Sequence, residues 1–436
     1  MKVVIVGSGN SAWSSAAYFA THNPEVDLHL IKSPNIPTIG VGESSTRSLK
    51  DFFDLLNIKE EEWMDECDAT AKYGNVFYDW GVEKIYHIFD TIDDVGKLLL
   101  NDEDPTKRII EESKNFNFHK SLDVKAYHFD AQKMHSYFEK KFGDKINIII
   151  GNVDKVNKNE DGITSLILED GREVDGDFFV DCTGLKRKLI QEMPDYEFEP
   201  NGLLQDRAVF SPVPYQNKEE ESYKYLTTTA KSAGWIFRTP IQSRIGSGYV
   251  FSSQYLSDED AIKEFMEHWD NRPINPRIIK FKNGKIKKSL IQNCVAIGLS
   301  SGIIDPMEST AIGCTCDSIF YISWGLNNGF STEDREFFND YVSKKYNNIV
   351  DFVSFIYYTT NRDDSQFWKD IKTESRYPES FIKKLKLFEK SGKPYIIKED
   401  GEILLGNRAS KETWRDGDIF DVPMWYIHGR AKGLYE

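Results

Sequence analysis

Cysteine is scarce: five residues in 436, at Cys67, Cys182, Cys294, Cys314 and Cys316. Scattered through a chain this long, they do not form a disulfide framework, and a reducing cytoplasm is the simplest setting. Cys314 and Cys316 have the wrong spacing for a zinc knuckle and no histidine nearby, so no metal site is expected and small buried thiols are the plain reading. No run approaches 18 consecutive apolar residues, so no membrane span is expected. The first six residues lack the charged and apolar parts of an export segment. An excess of positive charge is also missing. Lys plus Arg is 55 against 70 Asp plus Glu, a net charge of −15. A nucleic-acid binder needs a basic face for phosphates, so that class is excluded, and an anionic membrane surface is disfavoured. Internal repeats and low-complexity tracts are absent.

The chain is long enough for two or three domains and a sizeable core. Its aromatic fraction of 13% suits a packed enzyme with ring-lined cavities. Lys2-Val3-Val4-Ile5-Val6 reads as a buried parallel strand, followed by the turn Gly7-Ser8-Gly9-Asn10-Ser11-Ala12. A helix over 13–21 and a strand over 26–31 complete a βαβ unit of about 30 residues, the opening of a dinucleotide-binding fold. Residues 47–66 read as helical. Residues 101–120 read as a surface excursion. Tyr127 to Asp130 is expected to open a helix ending at Phe142. Strands follow at 146–150 and 178–182, with hairpin turns at Asp161-Gly162 and Asp170-Gly171. Residues 205–255 alternate as antiparallel strands, 258–270 form a helix, and a strand returns at 295–298. A long helix starts near Ser309, and the remainder is mainly helical. The expected fold is α/β. A doubly wound, Rossmann-like domain comprises 1–75, 120–190 and 290–328. An antiparallel substrate-side sheet is inserted at 195–285, and a short helical part occupies 329–436.

In the glycine turn, Gly7 permits the tight bend and Gly9 lets the backbone approach a pyrophosphate. Ala12 takes the third glycine's place and is small enough for close helix packing. The helix N-terminal amides would hold the phosphate charge. A purely structural turn is the bland alternative. The second strand ends Leu30-Ile31-Lys32-Ser33 rather than in an acid. Lys32 cannot accept a hydrogen bond, so ribose recognition falls to Ser33, backbone or water. Lys32 meeting a 2′-phosphate would instead make an NADP site.

A more specific pattern begins at Gly40-Val41-Gly42-Glu43-Ser44, which resembles the Gly-Val-Gly-Glu-Ala loop of flavin-dependent halogenases of the tryptophan-halogenase type. Ala71-Lys72, with Trp80 eight residues after the lysine, is similar to the family's catalytic-lysine segment. Tyr127–Ala131 and Asp181–Gly184 resemble two of its flavoprotein segments. Gly234–Pro240 resembles its Trp-x-Trp-x-Ile-Pro signature, with Phe237 for the second tryptophan and Thr239 before Pro240. Ser243–Tyr249, Pro306-Met307-Glu308-Ser309-Thr310 and Thr359 to Trp368 continue the likeness in order, over most of 1–370.

The resemblance implies FAD, supplied reduced, with halide and O2 as co-substrates. It places FAD contacts at Gly7, Ser8, Gly9, Ser11 and Ala12, then Ser33 and Ile36. Val41 and Ser44 correspond to the strap between flavin and halide, and Leu299 and Ile312 to positions beside the isoalloxazine. Thr310 and Ala311 match the pair whose backbone amides hold halide, with Ala311 where glycine is usual. In the family a hypohalous acid forms and moves through the protein to a lysine beside an aromatic substrate. Lys72 matches that lysine, Glu308 the carboxylate that positions it or takes the arene's proton, and Ser309 a group that orients the lysine. The lysine's chemistry allows either an ammonium donor or an amine that carries halogen. Taken alone, Lys72 reads as a solvated lysine, Glu308 as a helix-N-terminal acid and Trp235 as core. Trp235 and Pro240 match the family's flavin-proximal signature. The implied function is a halogenase acting on electron-rich arenes, with the alternative of an FAD-dependent aromatic monooxygenase. A separate, transient flavin reductase and a possible homo-oligomer are the implied partners. The stretch beyond Trp368 reads as a shortened lid over a more open cavity, implying broad substrate tolerance; Trp414, Trp425 and Tyr426 either line that cavity or simply pack.

Overall fold

Lys2–Val6 is buried on both faces, which is why its sequence is continuously apolar rather than alternating. In the computed structural model, which describes residues 1–34, 41–82, 84–88, 126–391, 396–397 and 403–404, this strand lies inside a six-stranded sheet. The order is Leu290–Ile291, Cys294–Ala296, Phe178–Asp181, Lys2–Val6, Asp27–Lys32, Asn147–Ile150. Every pairing is parallel except the first, and Val4 sits between Phe179 and His29. The helix Asn10–His22 returns the chain between the first two strands of the sequence and buries Trp13 and Phe19. The βαβ opening expected from the sequence is therefore present. Ile36, Gly40, the excursion at 101–120 and Trp414, Trp425 and Tyr426 lie outside the described residues.

The second layer is a seven-stranded sheet in the order Arg277–Lys280, Arg207–Val213, Ile245–Phe251, Gly234–Pro240, Leu226–Lys231, Gly74–Tyr78, Lys84–Ile88. Five of its six pairings are antiparallel, but Leu226–Lys231 runs parallel to Gly74–Tyr78. The upstream segment 74–88 thus extends the sheet built from 207–280. The hairpins at 161–162 and 170–171 form as expected, joining Val153–Asn159, Gly162–Leu168 and Glu173–Asp175.

Two local readings are corrected. Tyr127 to Asp130 does not open a helix: Ala126–Phe129 is a strand, and the helix is Ala131–Phe142. Asp130 is its N-cap, with extended backbone and a carboxylate accepting from the amides of Gln132 at 2.9 Å and Lys133 at 3.0 Å. The segment 47–66 is two helices, Ser48–Leu55 and Glu60–Trp63, because Asn57 takes a left-handed backbone between them. All five cysteines are buried, free thiols. Among the described residues, no helix is long and apolar enough to cross a membrane.

Ala126–Phe129 is the centre of a small sheet, with Glu43–Ser44 on one side and Thr70–Lys72 on the other. This sheet bridges the two layers. The aromatic cluster of Trp80, Trp235, Tyr357 and Trp368 packs the larger antiparallel sheet against the long helix Thr332–Tyr358. Arg362 donates to the Asp79 carbonyl at 3.0 Å, and Trp80 Nε1 to the Thr228 carbonyl at 3.2 Å, which ties these residues into the fold.

Val41 and Gly42 lie flat on the strand Ile245–Phe251. A Cβ at Gly246 would overlap the Val41 carbonyl oxygen. Arg244 holds the same segment, donating to the Val41 carbonyl and pairing with Asp130 at 2.6 Å. Gly246→Ala should therefore push 41–44 off the sheet and cost roughly 1–3 kcal/mol, measured by thermal unfolding. A stability equal to the wild type would contradict this close approach.

Candidate functional site

The turn after the first strand is shaped for an anion. Gly7 has φ of 152°, and Ser8 Oγ accepts the Ser33 amide at 2.9 Å, tying the turn to the end of the second strand. Gly9 is the N-cap of the following helix, with no side-chain cap and no acid in the first turn. Among the described residues, a Cβ at Gly9 would touch nothing within 4 Å. Open space over unsatisfied amides at a helix N-terminus is the setting a diphosphate needs. Ala12 is fully buried against the sheet. Gly298 crosses over Ser11, which places Leu299 at this end of the sheet. Lys32 pairs with Glu139 at 2.6 Å and lies over the Trp13 ring at 5.6 Å. Its charge is already compensated, which disfavours the NADP reading. The residues present fit FAD.

The lysine site forms where the small sheet meets the loop before the long helix Ala311–Asn328. Lys72 ends the strand Thr70–Lys72, and its side chain is 0% exposed. Its Nζ donates to the Ser45 carbonyl and to Ser309 Oγ, each at 3.1 Å. Ser309 is 237 positions from Lys72. It reaches the lysine because a short turn, Pro306–Glu308, ends with Ser309 in the left-handed region at φ 58°. Glu308 is 3% exposed and accepts from Asn75 Nδ2 at 2.6 Å. Three residues proposed from sequence, Lys72, Glu308 and Ser309, are thus brought together.

The electrostatics follow from burial. Desolvation pushes the Lys72 ammonium down to about 7, and the Glu308 charge opposes that shift. His128 stands cross-strand from Thr70 and on its diagonal from Lys72. It is buried and neutral: desolvation first, then the Lys72 charge, holds it well below its ordinary value. His128 Nδ1 lies 3.2 Å from the Pro240 carbonyl, which fixes the tautomer with the proton on Nδ1. The same carbonyl accepts Thr70 Oγ1 at 2.6 Å. Pro240 therefore ties the signature strand to the lysine strand.

Thr310 and Ala311 form the N-terminus of an 18-residue helix with no side-chain cap and no acid in its first turn. Those amides offer a second anion-binding end. Ala311 has ordinary helical backbone, so alanine in place of glycine brings no strain. Ile312 follows within the same first turn. Val41 and Ser44 lie at the two ends of the 41–44 segment, and the Ser44 hydroxyl is buried with no hydrogen-bond partner among the described residues. Trp235 Nε1 donates to Asp305 at 3.1 and 3.2 Å. Sequence reasoning missed Ser45, Asn75 and Asp305. Ser45 acts on Lys72 through a backbone carbonyl, and no local pattern links Asn75 or Asp305 to their partners.

A family sequence model described as tryptophan halogenase matches residues 2–102 and 99–426. The chain belongs to the tryptophan halogenase family. The match runs to residue 426, beyond the point near Trp368 where the quoted segments end. Tryptophan 7-halogenase RebH of Lentzea aerocolonigenes is 27% identical, over 97% of this chain and 88% of its own. Tryptophan 6-halogenase SttH of Streptomyces toxytricini is 29% identical over 86% and 81%. Among solved structures, BrvH, a flavin-dependent halogenase from Brevundimonas sp. BAL3, superposes with a TM-score of 0.82. It is 26% identical over 100% of this chain and 90% of its own. The α/β fold and the halogenase resemblance read from the sequence are both established by these likenesses.

The buried lysine leaves a signature in stability. Its folded pKa lies below the unfolded value, so between about pH 7 and 10.5 the unfolded chain binds a proton that the folded chain does not. Wild-type stability should rise with pH across that window relative to Lys72→Met, by up to about 1.4 kcal/mol per pH unit. Paired denaturant titrations from pH 6 to 10 measure this difference. Parallel curves would contradict a buried lysine of lowered pKa.

Proposed function

We propose that the protein halogenates electron-rich arenes, using Lys72 and Glu308 to direct a hypohalous acid to the substrate. The observation that carries this reading is a fully buried lysine, held by Ser309 and Ser45, beside a buried carboxylate. A lysine is rarely buried without a task.

Bound at the Gly7–Ala12 turn, reduced FAD with O2 and halide supplies the oxidant. The amides at Thr310 and Ala311 suit the halide's negative charge. Ser309 and Ser45 fix the Lys72 Nζ in place. Near pH 7 both its ammonium and amine forms are populated, so it can donate to the oxidant's oxygen or carry halogen on nitrogen. In the transfer step the arene's π electrons form the carbon–halogen bond. The halogen–oxygen bond breaks, and the oxygen takes a proton from the Lys72 ammonium and leaves as water. Glu308, oriented by Asn75, accepts the ring proton.

A separate flavin reductase is the proposed source of reduced FAD. Tolerance for varied indoles and phenols, rather than a fit to free tryptophan alone, is the proposed substrate range.

Mass spectrometry of turnover products tests the reading. The mixture contains the protein, FAD, a reductase with NADH, O2, and one of chloride, bromide or iodide. The substrates are tryptophan, other indoles and phenols. Halogenated product is expected, lost by at least about 100-fold in Lys72→Ala and by roughly 100-fold or more in Glu308→Gln. Hydroxylated product in every tube would overturn the reading in favour of an aromatic monooxygenase. Undiminished halogenation in Lys72→Ala would remove the lysine from the mechanism.

A further inference from the structure

Asp305 lies at the start of the turn that carries Glu308 and Ser309. Its carboxylate is 1% exposed and accepts from three directions. Trp235 Nε1 donates from the strand Gly234–Pro240 at 3.1 and 3.2 Å. The Tyr357 hydroxyl donates from the last turn of the long helix Thr332–Tyr358 at 2.7 Å. The Met307 amide donates from the turn itself at 3.3 Å. No cation is among these donors. Burial pushes the Asp305 carboxyl up to about 6, and the three donors oppose that shift. A buried carboxylate with no cation beside it is costly, and only satisfied hydrogen bonds make it tolerable. Simple packing of the Trp235–Tyr357 cluster would be met by an apolar side chain.

The carboxylate joins three elements. The antiparallel sheet contributes Trp235, and the long helix contributes Tyr357. The turn places Glu308 three positions and Ser309 four positions beyond Asp305. Trp235, matched in sequence to a flavin-proximal signature, here acts on the turn through Asp305. Asp305 is not placed against Lys72 by any hydrogen bond, so any influence on transfer passes through the turn.

We propose that Asp305, clamped by Trp235 and Tyr357, is a positioning residue that fixes the Glu308–Ser309 turn and so governs transfer of halogen to the arene, not formation of the oxidant. This rests on the halogenase reading above. Asp305→Ala would strand three buried donors and is expected to misfold in part, so Tyr357→Phe carries the test. It removes one donor and keeps the ring that packs against Trp80 at 5.4 Å.

Two readouts are compared in the FAD-loaded protein. Hydrogen exchange of the 303–312 peptide should quicken at least tenfold in Tyr357→Phe, with the 245–251 strand unchanged. A hydrogen bond to a charged acceptor is worth roughly a tenfold factor or more. In turnover with a β-diketone scavenger for free hypohalous acid, total oxidant should stay within twofold of wild type. The share reaching the arene should fall roughly tenfold, with the scavenger taking the difference. Asp305→Asn, which keeps an oxygen acceptor for Trp235 and Met307, should fall between the two. Unchanged exchange at 303–312 overturns the clamp. Product and total oxidant falling together overturn the assignment to transfer. If the wild type forms neither oxidant nor product, the halogenase reading fails instead, and exchange still decides the clamp.

Discussion

The desolvation of one ammonium group is the constraint around which the rest is arranged. Lys72 has no exposed surface, yet it keeps donors satisfied by a backbone carbonyl at Ser45 and a hydroxyl at Ser309. Those acceptors come from Ser45, directly after the strand Glu43–Ser44, and from the loop before the helix Ala311–Asn328. Glu308 offsets part of the burial penalty by favouring the charged form. The balance leaves the lysine near neutrality, where small changes in surroundings alter its protonation. Both acceptors hold the same ammonium, so the 41–45 segment, the small sheet and the Glu308 turn are mutually dependent.

The surrounding architecture explains how such a site persists. The parallel sheet presents the Gly7–Ala12 turn and the crossing at Gly298. The antiparallel sheet presents Trp235 and Pro240. The three-stranded sheet between them carries Lys72 on one edge and Ser44 on the other, with His128 in the middle. Pro240 accepts hydrogen bonds from Thr70 and His128, and Arg244 links Val41 to Asp130. The antiparallel sheet is thus bonded to the small sheet at the Pro240 carbonyl and, through Arg244, at the Asp130 carboxylate. A proposed oxidant source and a proposed transfer site are set on rigid elements rather than on free loops.

The sequence made the parallel sheet legible because strands buried on both faces are continuously apolar. Lys2–Val6, Phe178–Asp181 and Cys294–Ala296 all read this way. Hairpins at Asp161-Gly162 and Asp170-Gly171 were legible from turn chemistry. Tyr127–Phe129 was misread because so short a run before a capping aspartate carries no period that separates strand from helix entry. Lys72, Glu308 and Ser309 were found through family resemblance, since their separation of more than 230 positions defeats any local pattern. Asn75 and Asp305 stayed hidden for the same reason: their partners lie 233, 70 and 52 positions away. Ser45 contributes a backbone oxygen, which no side-chain identity announces.

The most direct test of this account is the protonation of Lys72 itself. With lysine labelled at the ε-carbon, the Lys72 resonance is identified by its absence in Lys72→Arg and followed by NMR from pH 5 to 11. The account predicts a midpoint near 7, well below the ordinary lysine value of about 10.4. A Lys72 resonance that titrates above 10 with the surface lysines would contradict it.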